Sequence, residues 1–211
     1  EKSLKRLSYS KKTVEGPISF DAVLEKAYVP TPSFSIPEWN KDRQKIPDLG
    51  TFNKDMLVLA VPETNPGEII DPDKIIVLTD KMDANGRLVW NVPEGKWNIW
   101  RMALVTANSF NHPADIETVG HEVDRMDPDA IRLVYDNIVG RINKEAKQKG
   151  YTSFKGFEND SYEAGYQDFG NDFIEEFQKR RGYDCTLWLP AWKDNNMVIK
   201  DQELTNRFRW D

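Results

Sequence analysis

The chain has 211 residues, 39% hydrophobic and 30% charged, the balance of a folded globular protein with a real core rather than a disordered one. A net charge of −6 without a concentrated Lys/Arg block argues against a nucleic-acid partner, and no apolar run reaches membrane-spanning length. The single Cys185 excludes an internal disulfide and any cysteine-based zinc site.

The chain opens without Met, in Glu1-Lys2-Ser3-Leu4, and stops at Arg209-Trp210-Asp211. Neither end reads as a natural terminus, so the expectation is a piece of a longer protein, whose missing signal peptide says nothing about localisation. Residues 1–54 are expected to be an irregular, proline-punctuated wrapping segment. Gly16-Pro17 reads as a turn. Val29-Pro30-Thr31-Pro32 and Ile36-Pro37 force an extended chain, because residues before proline avoid the α region.

Residues 55–106 read as β. Met56 to Val61 is a continuous apolar run ended by Pro62, which suits a strand buried on both faces. Glu63 to Asp73 reads as a loop and Ile75 to Thr79 as a second strand. Asp83-Ala84-Asn85-Gly86 is a turn signal, since Asn-Gly tolerates positive φ. Leu88 to Trp90 predicts a third strand, Pro93-Glu94-Gly95 another turn, and Trp97 to Thr106 a long fourth strand. The economical arrangement is an antiparallel meander. Seven Trp are a high count for this length; each is either core or part of a platform for sugar rings.

Beyond residue 107 the period becomes helical. Asp127 is a good N-cap, Pro128 suits the first helical position, and Gly150 suits the stop. Ile131, Val134, Tyr135, Ile138, Ile142 and Ala146 fall on one stripe between them. Phe154 to Glu158 is predicted to be a strand. Asp172 with Glu175 resembles a capping box that opens a helix with Phe173, Ile174 and Phe177 inward, ended by Gly182. Strand, helix, strand, helix is a βαβα unit with parallel strands. The fold class expected is therefore α/β, a partial (β/α)8-type barrel over 107–211 with the antiparallel β-rich segment before it.

Chemistry concentrates where the strand at 154–158 is expected to break into Asn159-Asp160-Ser161-Tyr162-Glu163. Strand-end loops are where ligands bind in α/β folds. Crowded carboxylates there can take different pKa values, as glycoside hydrolysis requires. If strands 97–106 and 154–158 are parallel neighbours, loop 107–126 with His112, His121, Glu122 and Asp124 shares that edge with Asp160, Tyr162 and Glu163. Each acid has a plainer alternative. Glu158 pairs with a lysine or points into a barrel interior. Asp160 and Glu163 brace their loop or act on substrate. Glu122 and Asp124, two apart on one side of an extended chain, contact a ligand or pre-cap the helix. The two histidines match no zinc signature, whereas carboxylates and carbonyls suit calcium. No serine-hydrolase elbow, phosphate loop or dinucleotide fingerprint is present, which argues against a nucleotide cofactor. Cys185, without a nearby histidine, reads as structural.

The ordered series Gly95-Lys96-Trp97, Gly120-His121-Glu122-Val123-Asp124, Asp160-Ser161-Tyr162-Glu163, Arg181-Gly182-Tyr183-Asp184, Leu189-Pro190 and Arg207-Phe208-Arg209-Trp210-Asp211 resembles glycoside hydrolase family 106. That resemblance implies a bacterial α-L-rhamnosidase acting on plant-type polysaccharides or glycosides, built on a (β/α)8 barrel within a larger chain. It implies an inverting mechanism, calcium near the sugar, and a periplasmic, cell-surface or secreted location. Glu163 matches the general acid. Asp160, Tyr162, Glu122, Asp124 and His121 would contact the sugar or the ion, and the general base is expected beyond Asp211. The resemblance thus implies a piece inert in isolation, whose partners are a carbohydrate and the remainder of its own longer chain. The alternative is a non-catalytic carbohydrate-binding or scaffold domain, which exposed, coplanar Trp rings on one sheet face would favour.

Overall fold

The computed structural model describes residues 2–31, 49–111, 118–158 and 167–211. Contacts divide the chain into two units, one holding residues 1–6, 29–52 and 105–171, the other 7–28, 53–104 and 172–211.

The second unit is built on a four-stranded sheet in the order β1-β5-β2-β4, from β1 (Lys5–Val23), β2 (Asn53–Pro62), β4 (Ile76–Val77) and β5 (Arg87–Thr106). Thr13 bonds Asn98 and Asp21 bonds Arg87, so β1 and β5 run in opposite directions. Asp55 bonds Arg101 and the Glu63 N–H bonds the Lys96 carbonyl, so β2 is antiparallel to β5 as well. β4 pairs antiparallel with β2 through Leu59–Val77 and Ala60–Ile76. Alternate residues of β2 bury on opposite faces, Val58 and Ala60 on one and Leu57, Leu59 and Val61 on the other, as its uninterrupted apolar run requires. One face packs a core of Val14, Phe20, Val58, Ala60, Leu88, Trp90, Val92 and Ile99.

Two expectations for this region need correction. Residues 5–23, read as part of an irregular segment, form a 19-residue strand. β1 lies at the sheet edge, where a proline is tolerated and a polar outer side is normal. Gly16 is required there: a Cβ on it would stand 1.9 Å from the Pro93 carbonyl oxygen of β5. The expected turn at 93–95 is likewise absent, because β5 runs unbroken over 20 residues. Gly95 absorbs the irregularity at φ 108°, and β2 has ended at Pro62, with the Glu63 N–H already on the Lys96 carbonyl, so Pro93 deprives no β2 residue of a hydrogen bond. The predicted turn at 83–86 is present, closed by Gly86 at φ 82° and the Gly86 N–H on the Asp83 carbonyl.

Two further strands, β3 (Ile69–Ile70) and β6 (Val198–Ile199), pair in parallel, with β3 inside the expected loop. Helices α3 (Phe173–Arg181), α4 (Leu189–Lys193) and α5 (Gln202–Trp210) complete the unit. Asp172 makes no capping bond, contrary to the capping-box expectation, whereas Gly182 ends α3 at φ 80° as expected. Phe173, Phe177, Trp192 and Phe208 form a cluster in which Trp192 meets Phe173 and Phe208 edge to ring and the Phe173–Phe177 and Phe177–Phe208 pairs are tilted. Arg209 ties α5 to the carbonyls of Ala191, Asp194, Asn195 and Met197.

In the first unit, α1 (Pro128–Tyr135) and α2 (Arg141–Gln148) continue one another through a π-helical turn at 136–140. Asp127 caps α1 through the amides of Asp129 and Ala130, and the helix is followed by Gly150 at φ 67°. The apolar stripe is not covered: Ile131, Val134, Tyr135, Ile138 and Ile142 are 39–56% exposed, while Ala130 and Ala146 are buried.

Residues 154–158 are not a strand. The neighbours of β5 are β1 and β2, so no edge of it is free for a parallel partner. Phe157 is left 62% exposed and Glu158 exposed. Among the described residues the βαβα unit and the partial barrel are therefore not seen; the architecture is mixed α and β around an antiparallel sheet.

Candidate functional site

The acidic segment 120–124 is held in extended form on both sides. On one side the Leu4 N–H reaches the Glu122 carbonyl at 2.7 Å and the Asp124 N–H reaches the Lys2 carbonyl at 2.8 Å. On the other, the Glu122 N–H bonds Ser109 and the Asn111 N–H bonds Gly120. Antiparallel bridges Ser3–Val123 and Phe110–His121 complete a small three-stranded patch. Period-two alternation then puts Glu122 and Asp124 on one side and His121 and Val123 on the other.

Asp124 is wholly buried. Its Oδ2 accepts from Lys5 Nζ at 2.8 Å, and both side chains are fully removed from water. Its Oδ1 accepts from the Met126 N–H at 2.9 Å and from Gln167 Nε2 at 2.5 Å. Lys5 also donates to the Ser3 carbonyl and stands over the Phe52 ring. One carboxylate thus joins the start of β1, the turn before α1, and Gln167, four residues beyond Glu163. Sequence reasoning missed both partners. Lys5 sits in a run of basic residues that reads as solvated surface, and a bond spanning 119 positions leaves no local signal.

Glu122 is half-buried, and its carboxylate has no partner among the described residues. His121 stacks on Phe110 with ring centroids 5.0 Å apart. Its Nε2 lies 3.2 Å from the Gly50 carbonyl, which can only accept, so Nε2 carries a proton there. Its Nδ1 is buried without a partner among the described residues. Asp127, the cap of α1, is held below the usual carboxylate range by the 2.7 Å bond from Lys2 and by the capping amides.

Asp160, Tyr162, Glu163 and His112 lie outside the described residues. Among the described residues no three His, Cys, Asp or Glu side chains form a group able to hold a metal ion. Cys185 is buried and its thiol pushed up to about 11 by burial and the charge of Asp184. Such a thiol is a packing group. Trp90 and Trp100 of β5 are buried, so they form no exposed platform on the sheet. Among the described residues no helix is long and apolar enough to cross a membrane.

Comparison with known proteins gives three findings. A solved rhamnosidase from Novosphingobium sp. PP1Y superposes with a TM-score of 0.71, covering 99% of this chain and 34% of that one at 18% identity, a likeness of fold. A Formosa agariphila protein provisionally named beta-glucuronidase is 32% identical over 154 residues. That alignment takes in 72% of this chain but 13% of the relative, so the chain spans a small part of the proteins it matches. A family model described as alpha-L-rhamnosidase matches residues 49–211. The chain belongs to glycoside hydrolase family 106.

Proposed function

We propose that this chain forms part of an inverting α-L-rhamnosidase-like hydrolase acting on plant-type polysaccharides or glycosides outside the cytoplasm. Family membership over residues 49–211 is the observation that carries the reading. In this scheme Glu163 is the general acid that protonates the departing glycosidic oxygen. A carboxylate elsewhere in the longer polypeptide activates water on the opposite face of the sugar. Asp160, Tyr162 and Glu122 contact the sugar, with the Glu122 carboxylate as an acceptor for its hydroxyls, while His121, on the other side of the segment, steadies it against Phe110 and Gly50. Asp124, enclosed by Lys5, Met126 and Gln167, serves that surface as a positioning residue.

The uncovered stripe of Ile131, Val134, Ile138 and Ile142 supports a further part of the scheme. Apolar side chains in a row gain by leaving water, and the remainder of the longer polypeptide is their partner here. The 211-residue piece alone is then inert.

The test is hydrolysis of 4-nitrophenyl α-L-rhamnoside by the full-length protein, with NMR of the sugar anomer released in the first minutes. Inversion gives the β anomer first. Hydrolysis of neither this compound nor the parallel substrate below, or release of the α anomer of rhamnose first, overturns the reading. The Formosa relative's name motivates one alternative substrate, the aryl β-D-glucuronide, as a parallel arm. Turnover of that compound alone moves the sugar specificity without moving the acid.

A further inference from the structure

In the second unit a cavity of about 160 Å³ lies against the sheet. At about 30 Å³ per water it has room for about five waters. Lys11, Asn98 and Trp100 line it from β1 and β5, Glu63 and Asn65 from the turn after β2, and Asp194 from the turn after α4.

Trp100 is 1% exposed, with Lys11 Nζ 5.4 Å over its ring. Its indole Nε1 is buried without a hydrogen-bond partner among the described residues, a cost that a ligand or water acceptor removes. Asn98 spends its Oδ1 on Thr13, leaving its amide N–H groups to donate. The Lys11 ammonium and the Glu63 carboxylate have no ion-pair partner among the described residues. One ammonium against two carboxylates, Glu63 and Asp194, gives an anion no net attraction. Among the described residues no three metal-binding side chains gather there to hold a cation. What remains is a mixture of donors, acceptors and one aromatic floor, which suits an uncharged ring with several hydroxyl groups.

We propose that this cavity binds a single neutral saccharide unit. The proposal stands on the cavity alone and does not need Glu163 to be catalytic.

The experiment is calorimetric titration of the full-length protein with L-rhamnose, D-galactose and methyl α-D-glucoside, with D-glucuronate and inorganic phosphate as anionic controls. The expected result is saturable binding of at least one neutral sugar with a Kd of about 1 mM. Asn98→Ala and Trp100→Phe should each weaken it about fivefold or more, a lost hydrogen bond apiece. Lys11→Ala and Asn98→Ala change exposed and half-exposed positions, so they carry the test if Trp100→Phe does not fold. No saturable binding overturns the proposal. So does binding untouched by Asn98→Ala and Lys11→Ala, or tighter binding of either anion.

Discussion

Replacing Lys5 by methionine keeps the apolar stem of the side chain and deletes its charge. The ammonium stands 2.8 Å from Asp124 Oδ2, and neither side chain touches water. At that distance and an effective dielectric of about 20 the direct attraction is about 6 kcal/mol, much of it offset by the cost of desolvating both ions. Removing one partner leaves the other's desolvation uncompensated, which costs about 3–5 kcal/mol. Asp124 keeps the Met126 N–H and the Gln167 amide, so a value at the lower end, about 3 kcal/mol, is expected. Against a usual domain stability of about 5–15 kcal/mol this is a large share, readable as a lower urea midpoint by tryptophan fluorescence. Lys5→Met/Asp124→Asn should cost less than the sum of its single changes, since the stranded charge is removed too. A loss below about 1 kcal/mol for Lys5→Met would refute the reasoning, because that is the behaviour of an exposed bridge.

Other consequences are independent of that pair. Arg101, almost fully buried, forks onto Asp55 with two 2.7 Å bonds and donates to the Leu24 carbonyl. Arg101→Lys cannot reproduce the fork and should cost about 2 kcal/mol in urea unfolding, whereas an unchanged midpoint would deny the bonds any weight. Burial and the bond to Asp211 push the Tyr183 phenol up from 10.0 to about 12. The unfolded phenol loses its proton first as pH rises, so stability should fall between pH 10 and 12. Absorbance at 295 nm should show one phenol ionising late, and co-ionisation of every tyrosine near pH 10 would contradict this. Cys185, pushed up to about 11 by burial, should resist Ellman's reagent at pH 8 in the native protein and react on unfolding. Rapid native reaction would mean an accessible thiol.

The parts legible in the sequence are those governed by near neighbours. Asp127, Pro128 and Gly150 bound the helix because capping and positive φ are local needs, and Met56 to Val61 reads as a doubly buried strand because burial on both faces demands such a run. β1 was hidden by Gly16-Pro17, which punctuates a chain in isolation but is accommodated at a sheet edge beside Pro93. The strand expected at 154–158 fails for a reason outside itself: β1 and β2 already flank β5. At the candidate site, the extended form of Glu122 and Asp124 follows from their spacing, but the burial of Asp124 depends on Lys5, Met126 and Gln167 together. Charge complementarity between distant segments carries no period. Exposure of the Ile131–Ile142 stripe was equally beyond reach, because amphipathicity tells which face seeks cover and not what covers it.

The role of Glu163 is tested most directly by Glu163→Gln in the full-length protein, assayed on aryl α-L-rhamnosides whose leaving groups range from acidic to weakly acidic phenols. A general acid matters most when the departing oxygen needs its proton. The variant should therefore lose roughly 10²–10⁴-fold in kcat on weakly acidic leaving groups, much less on 4-nitrophenol, and the alkaline limb of its pH profile. A uniform small loss across the series, with that limb intact, would remove Glu163 from the chemistry.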